Sequence, residues 1–417
     1  MQTTLSASFK NSADGQEAER ILRNCVHCGF CLATCPSYQI LGNELDSPRG
    51  RIYLIKQLVE GHEVTAKTQL HLDRCLTCRN CETTCPSGVE YGKLLDIGRA
   101  LVDAQVPRNP GDKMQRAALG RLISNPRLFA PLLRIGQALR PLMPRALKAK
   151  IPANAPLTRP VRAALTHPRK MLLLAGCAQP ALAPNINAAA TRVLSRLGIT
   201  LFPVATAGCC GAVTFHLNDH ARGLAAMRRN IDAWLPHLDA GAEAIVMTAS
   251  GCGVMVKEYG WHLRDDPRYA HLAARVAAAT RDLSEILLAE GEKLTDLFRP
   301  SHASGIQPRL AFHPPCTLQH GQKITGVVEA LLARAGFELT AVAESGLCCG
   351  SAGTYSILQP EIAQALQIRK LAHLEAGAPE VIVTANIGCL THLQSGTSIP
   401  VRHWIELLDS QLTNTAR

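Results

Sequence analysis

Apolar positions divide the chain first. From Arg169 onward, short apolar runs alternate with longer stretches at helical spacing, and they do so twice in one order. The first copy opens with Met171-Leu-Leu-Leu-Ala-Gly-Cys177, a strand running into a cysteine. A helix over about Asn187–Leu197, closed by Gly198, precedes a strand over Thr200–Val204 and then Cys209-Cys210-Gly211. A long helix ends at Leu238-Asp-Ala-Gly-Ala242, and a strand over Ala244–Thr248 leads to Cys252. The second copy begins with Ala311-Phe-His-Pro-Pro-Cys316, a helix closing at Gly336 and a strand over Phe337–Val342. Cys348-Cys349-Gly350 follows, then a helix ending at Leu374-Glu-Ala-Gly-Ala378, and a strand over Val381–Thr384 leading to Cys389. Thirty-one residues separate Cys177 from Cys209, and thirty-one separate Cys316 from Cys348. The later gaps, 41 residues from Cys210 to Cys252 and 39 from Cys349 to Cys389, are nearly equal. These are two homologous α/β units, with a helical insert (about 267–291) and a Ser/Pro-containing linker (299–308) between them.

Before Arg169 the pattern is helical. Short helices are expected over residues 17–24, over Gly50–Glu60 with its apolar Ile52, Leu54, Ile55, Leu58 and Val59, and over Lys93–Ala104. Between Pro107 and Pro168, prolines at 126, 131, 141, 144, 152, 156, 160 and 168 permit only short helices. Within them Leu128, Leu132, Ile135, Leu139 and Leu142 form an apolar stripe, with Arg127 and Arg134 to one side. The fold class that results is α+β multidomain. A mainly helical module (1–106) and a basic, Pro-rich amphipathic linker (107–168) are followed by the two α/β units, 169–298 and 309–417.

Composition changes this picture in two places. The net charge of +11 is local, because Pro107–Lys170 holds fourteen Lys or Arg against one acid, Asp112, and the rest is near neutral. Nucleic-acid binding by the whole chain therefore loses its main support. The basic amphipathic segment suits an anionic membrane surface, or equally a helical hairpin packed on a partner or on its own domain. The second place is redox state. Met1–Glu19 is polar, without the apolar stretch of a secretory signal, and no run of 18 apolar residues occurs. The sixteen cysteines are thus expected in a reducing cytoplasm, free to hold metal, with any membrane association peripheral.

Eight of those cysteines stand in two copies of Cys-x2-Cys-x2-Cys-x3-Cys-Pro: Cys25, Cys28, Cys31, Cys35-Pro36 and Cys75, Cys78, Cys81, Cys85-Pro86. This is the bacterial ferredoxin spacing for two [4Fe–4S] cubanes, in which the fourth cysteine of each run serves the other cube. The spacing predicts one cluster on Cys25, Cys28, Cys31 and Cys85, and the other on Cys35, Cys75, Cys78 and Cys81. Zinc has no use for a third evenly spaced thiolate. The 39 residues between Cys35 and Cys75 make the module helical and larger than a compact ferredoxin, and His27 is read as a neighbour that trims a cluster's potential. In the α/β units, Cys177, Cys209, Cys210 and Cys252, and likewise Cys316, Cys348, Cys349 and Cys389, fall at strand ends where loops meet. A further iron–sulfur cluster, zinc or a redox dithiol are the readings open there.

The full chain resembles the family of iron–sulfur subunits of bacterial glycolate oxidase (glycolate dehydrogenase). The strings that carry the resemblance are Cys25-Val-His-Cys-Gly-Phe-Cys31, Cys75-Leu-Thr-Cys-Arg-Asn-Cys81, Cys177-Ala-Gln-Pro180, Cys349-Gly-Ser-Ala-Gly-Thr-Tyr355 and Arg402-His-Trp-Ile-Glu406. The architecture is similar to that of the anaerobic glycerol-3-phosphate dehydrogenase small subunit, lactate-utilisation proteins and heterodisulfide reductase. The resemblance implies an oxidoreductase subunit that passes electrons from flavin-binding partner subunits to a membrane acceptor, a quinone. It implies a peripheral place on the cytoplasmic side of the inner membrane, and no residue acting on glycolate itself. Consistently, the chain has no Gly-x-Gly-x-x-Gly after a strand and no phosphate loop. The alternatives are a catalytic reductase of a disulfide or quinone built on the Cys-Cys-Gly units, a scaffold with structural zinc, or the iron–sulfur subunit of a related glycerol-3-phosphate or lactate dehydrogenase. One departure stands out. Heterodisulfide reductase ends its repeat Cys-x2-Cys, whereas Met255 follows Cys252 here and His392 follows Cys389. Each unit thus keeps four thiols, with His313 and His392 as candidate substitutes that are otherwise hydrogen-bonded core histidines.

Overall fold

The computed structural model describes residues 1–144, 151–155, 157, 166–298 and 307–414. Arg145, Lys148, Lys150, Arg159 and Arg162 of the basic segment, Pro156 and Pro160, and all but the end of the 299–308 linker lie outside the described residues. The chain is mostly helical, with two small parallel sheets, and divides into two compact units. The first unit comprises Met1–Ala117 and Gly346–Lys370; the second comprises Ala118–Ser345 and Leu371–Arg417.

In the first unit, helices Ala13–Asn24, Pro48–Val59 and Tyr91–Gln105 bury Ile21, Leu22, Ile55, Leu58, Leu94 and Leu95 against one another. Local chemistry fixes the starts of two of them. Ser12 accepts the Gly15 N–H, and Ser47, followed by Pro48, accepts the Gly50 N–H, each at 3.0 Å. Each cysteine run begins where a helix stops: Cys25 directly after Asn24, Cys75 one residue beyond Ala66–Asp73 and its C-cap Arg74. Among the bonds that tie in segment 346–370 are those from Tyr355 Oη to the Arg74 carbonyl (2.9 Å), from Asn80 Nδ2 to the Gly346 carbonyl (3.2 Å) and from Arg369 to Gln39 Oε1 (2.9 Å).

The second unit carries both sheets. Strands β1 (Arg169–Leu173), β2 (Ile199–Pro203), β3 (Ile245–Met247) and β4 (Thr280–Asp282) are parallel in the order β2-β1-β3-β4. Strands β5 (Leu310–His313), β6 (Val381–Thr384) and β7 (Val401–His403) are parallel in that order. One continuous apolar core, from Met171 and Ile186 through Phe312 and Leu331 to Trp404 and Leu408, joins the two copies. Arg192 and Asp409 pair across it at 2.7 Å.

The structure departs from the sequence reading in four places. The prolines do not keep the helices short, for Pro110–Ser124 and Pro126–Leu139 run fifteen and fourteen residues. Pro110 and Pro126 sit at first positions, where a missing N–H is harmless. Only Pro131 lies inside, forgoing one bond to the Arg127 carbonyl. The strand over 337–342 shrinks to a bridge between Leu310 and Leu339, since 341 and 343–345 are exposed and give a longer strand nothing to bury. The insert is not wholly helical, because it contains β4, and the C-terminal segment contains β7. These two strands are equivalent, and each leads into the same capping arrangement. The Asp282 N–H meets the Glu285 carboxylate (2.7 Å) and the His403 N–H meets the Glu406 carboxylate (3.1 Å). The stripe Leu128, Leu132, Ile135, Leu139 and Leu142 is exposed, 47–85% by residue, beside exposed Arg127 and Arg134. Among the described residues no helix is long and apolar enough to cross a membrane.

His403 is fully buried, and its Nδ1 accepts the Ile405 N–H at 3.3 Å, which fixes the ring as neutral. Burial lowers its pKa to about 3, against a smaller opposing pull from the Thr248 and Ala385 carbonyls. The unfolded chain therefore binds a proton that the folded chain does not. This part of the stability is complete above pH 6.5 and is lost as pH falls from 6.5 towards 3, by up to about 1.4 kcal/mol per unit. Urea unfolding across that window should show the loss, and His403→Asn should flatten it.

Candidate metal centres

The two cysteine runs adopt one backbone. His27 (φ 57°) and Gly29 (φ 85°) in the first match Thr77 (φ 55°) and Arg79 (φ 60°) in the second, all left-handed. Three of these four residues carry a Cβ, so the conformation is held at a cost of about 1–2 kcal/mol each. Its effect is to turn successive N–H groups towards the sulfurs, as Thr77 N–H does to Cys75 Sγ at 3.4 Å.

Around these loops lie two adjoining cavities. The first, about 440 Å³ including its open mouth, is lined by Cys25, Cys28, Cys31 and Cys85, with His27 and Arg49 at the rim. The second, about 280 Å³, is lined by Cys35, Cys75, Cys78 and Cys81, with Arg51 and Arg79. Cys81 and Tyr91 border both. Burial raises the Cys25 thiol, and it carries Cys31 up to about 11 with help from Cys25; Cys81 goes well up, by burial and then by Cys78 and Cys75. Left to themselves these thiols stay protonated and are poorly accommodated. A cationic iron–sulfur core is the kind of group that reverses this, and the donor set fits one. His27 is exposed at the rim, with a pKa lowered by desolvation and by Arg49.

The supporting residues were not singled out from the sequence. Asp46 is fully buried and receives His71 (2.9 Å) and Arg74 (3.1 Å). Ser37 Oγ donates to the Asp46 carbonyl (2.8 Å) and lies 3.3 Å from Cys35 Sγ, while Tyr91 Oη reaches Cys75 Sγ at 3.6 Å. Arg51 did leave a trace, because it stands four residues before Ile55 on the apolar face of its helix.

In the second unit, the first Cys-Cys-Gly copy brings its four thiols together. Cys209 is pulled well down by accepting hydrogen bonds from Cys177 and then Cys210, and Gly211 N–H adds a bond at 3.5 Å. Cys177 is pushed well up by its bond to Cys209 and by burial, and Cys210 by its bonds to Cys209 and Cys252. Asn230 and Tyr259, both buried, hold the loop. Asn230 takes the Gly208 N–H (2.8 Å) and donates to the Cys209 carbonyl (2.9 Å), and Tyr259 Oη donates to the Cys210 carbonyl (2.8 Å). Four such sulfurs could hold a metal ion or cluster. Met255 is buried in the apolar core.

The second copy divides between units. Cys348 and Cys349 lie in the first, where Gly350 N–H meets Cys348 Sγ at 3.4 Å; Cys316 and Cys389 lie in the second. There His313 is buried with a ring nitrogen within 4.8 Å of Cys389 Sγ, whereas His392 is half-buried.

Comparison with known proteins gives the same order of parts. A family described as "4Fe-4S dicluster domain" matches residues 21–89, and one described as "Cysteine-rich domain" matches 171–257 and again 310–394. The glycolate oxidase iron–sulfur subunit of Escherichia coli (strain K12) is 55% identical over 413 residues, 99% of each chain. A probable glycolate oxidase iron–sulfur subunit of Bacillus subtilis (strain 168) is 28% identical, over 93% of this chain and 91% of that one. The lactate utilization protein A of Shouchella clausii is 26% identical, over 55% of this chain and 93% of that one.

Gly211 and Gly350 share φ near +90°, and a Cβ would stand 2.9 Å from the Gly223 carbonyl oxygen or 2.4 Å from that of Ala363. Gly350→Ala should therefore destabilise by about 2 kcal/mol or more, and Gly211→Ala by less, as read from thermal unfolding.

Proposed function

The chain belongs to the family of glycolate oxidase iron–sulfur subunits, and from that premise we propose how it works. It is the electron-transfer subunit of a flavin-dependent glycolate (2-hydroxyacid) dehydrogenase, an oxidoreductase complex. Flavin-binding partner subunits oxidise the hydroxyacid, and this chain relays the electrons to a membrane acceptor, a quinone. One [4Fe–4S] cluster is held by Cys25, Cys28, Cys31 and Cys85, and the other by Cys35, Cys75, Cys78 and Cys81. The observation that carries the reading is that the eight thiols line two adjoining cavities, Cys25, Cys28, Cys31 and Cys85 the first, Cys35, Cys75 and Cys78 the second, and Cys81 both. A reduced flavin gives up two electrons and a cubane takes one, so paired cubanes answer the mismatch. The chain's own residues fix the sulfurs, seclude the second cavity and leave the first at the surface, with Cys28 exposed.

Two finer statements belong to this reading. Cys177, Cys209, Cys210 and Cys252 hold a further cluster or a zinc ion, since their hydrogen-bonded sulfurs already form one connected set. The helix Pro126–Leu139 rests on an anionic membrane surface at the cytoplasmic face. Its exposed apolar stripe, flanked by Arg127 and Arg134, supports that placing. By contrast Arg108 and Arg116, earlier in the basic segment, are taken up by Asp73, Asp103 and Asp112.

Two measurements check these statements. In the reconstituted complex, Cys28→Ser or Cys78→Ser should abolish electron flow from glycolate to quinone, while reduction of the partner's flavin by glycolate survives; persistent flow would end the relay reading. The chain should float with vesicles containing anionic lipid and be released by salt, and Leu132→Glu with Ile135→Glu should prevent flotation.

A further inference from the structure

The two cavities are electrically unlike. Around the first, Val26 and Phe30 are 67% and 62% exposed, and the guanidinium at its rim, Arg49, is a third exposed and paired with Glu44 at 2.8 Å. The second contains Arg51, whose side chain is 0% exposed. Its Nε donates to the His71 carbonyl (2.7 Å) and its Nη2 to Ser37 Oγ (3.0 Å), which itself touches Cys35 Sγ. Among the described residues its Nη1 has no hydrogen-bond partner. A buried guanidinium N–H with nothing to donate to is costly, and a chain keeps one where a bound group supplies the acceptor.

The charge on Arg51 is secure. Burial opposes it, but a guanidinium keeps its proton throughout the accessible pH range. Nor is it cancelled by a neighbour of its own. Asp46, 3.5 Å away, also serves Arg74 at 3.1 Å, so one carboxylate faces two guanidiniums.

We propose that Arg51 is a positioning residue for electron transfer: it sets the cube held by Cys35, Cys75, Cys78 and Cys81 at the higher reduction potential of the two, and its Nη1 is left for that bound group. This rests on the reading that cubes fill both cavities. A cube that accepts one electron gains one negative charge, with no bond made or broken, the electron coming from the reduced flavin of a partner subunit. A fixed cation in a secluded site favours the reduced form strongly. An exposed cation such as Arg49 is screened by water and salt, and favours it little. The pair is thereby biased so that electrons gather on the inner cube.

The test is a redox titration of the anaerobically purified full chain followed by electron paramagnetic resonance, with iron and acid-labile sulfide measured on each sample. Arg51→Gln should lower one midpoint, reducing that cube's accepting equilibrium on the order of tenfold (about 59 mV for one electron), and leave the other in place. Arg51→Lys should restore most of that loss, and Arg49→Gln should move neither midpoint. Asp46→Asn, which strips away the counter-charge, should raise the same midpoint that Arg51→Gln lowers. If Arg51→Gln fails to retain iron, Asp46→Asn and Arg51→Lys carry the test. Both midpoints moving together, neither moving, or an unraised midpoint in Asp46→Asn overturns the inference. A wild-type chain with less iron and sulfide than two cubes require overturns the two-cube reading instead.

Discussion

The cost of burying crowded thiols governs this molecule. Eight thiols border two adjoining cavities, and burial drives several of them away from ionisation, Cys81 most strongly. Cys25, Cys31 and Cys81 become thiolates cheaply only when positive charge enters with them. The first Cys-Cys-Gly site meets the same rule in another way, with Cys209 stabilised as the anion by S–H donors on both sides. Much of the nearby backbone serves to hold sulfurs in this uncomfortable arrangement. Left-handed residues stand between the cysteines, and a buried Asp46 gathers Arg51, Arg74 and His71 behind the second cavity. The favourable free energy of binding iron–sulfur cores offsets that strain, so cofactor loading and folding are linked quantities.

The repeat and both cysteine runs were plain from the amino-acid order, because metal ligands and strand ends impose fixed spacings. What escaped was short or indirect. Strands β4 and β7 are three residues long with an exposed arginine in the middle, Arg281 or Arg402, too brief for a period of two to register. Their equivalence emerges only once Asp282 and His403 are seen starting matching helices. The unformed strand after Thr340 was decided by what neighbouring residues could bury. The supports of the sulfur sites, Asp46, Ser37, Tyr91, Asn230 and Tyr259, act through three-dimensional proximity, and nothing in their sequence neighbourhood marks them.

Two kinds of surface follow from the same economy of charge. Early basic residues are consumed in ion pairs, as Arg108 and Arg116 are by Asp73 and Asp112. Beyond Ser124, Arg127 and Arg134 stay in solvent beside uncovered leucines, an arrangement a free aqueous surface does not stabilise. The contrast separates a stretch that completes a domain from one that has its face turned outward.

The first compact unit is not a continuous piece of polypeptide, for it borrows Gly346–Lys370, and with it Cys348 and Cys349, from far downstream. On a ribosome the stretch Ala118–Ser345 must be made before that unit can close, a delay on the order of ten to forty seconds at ordinary elongation rates. For that interval eight clustered thiols stand without their last wall, with Tyr355 not yet seated on the Arg74 carbonyl. Oxygen and stray metal ions have their best opportunity during translation, and delivery of iron and sulfide is best timed to the end of synthesis.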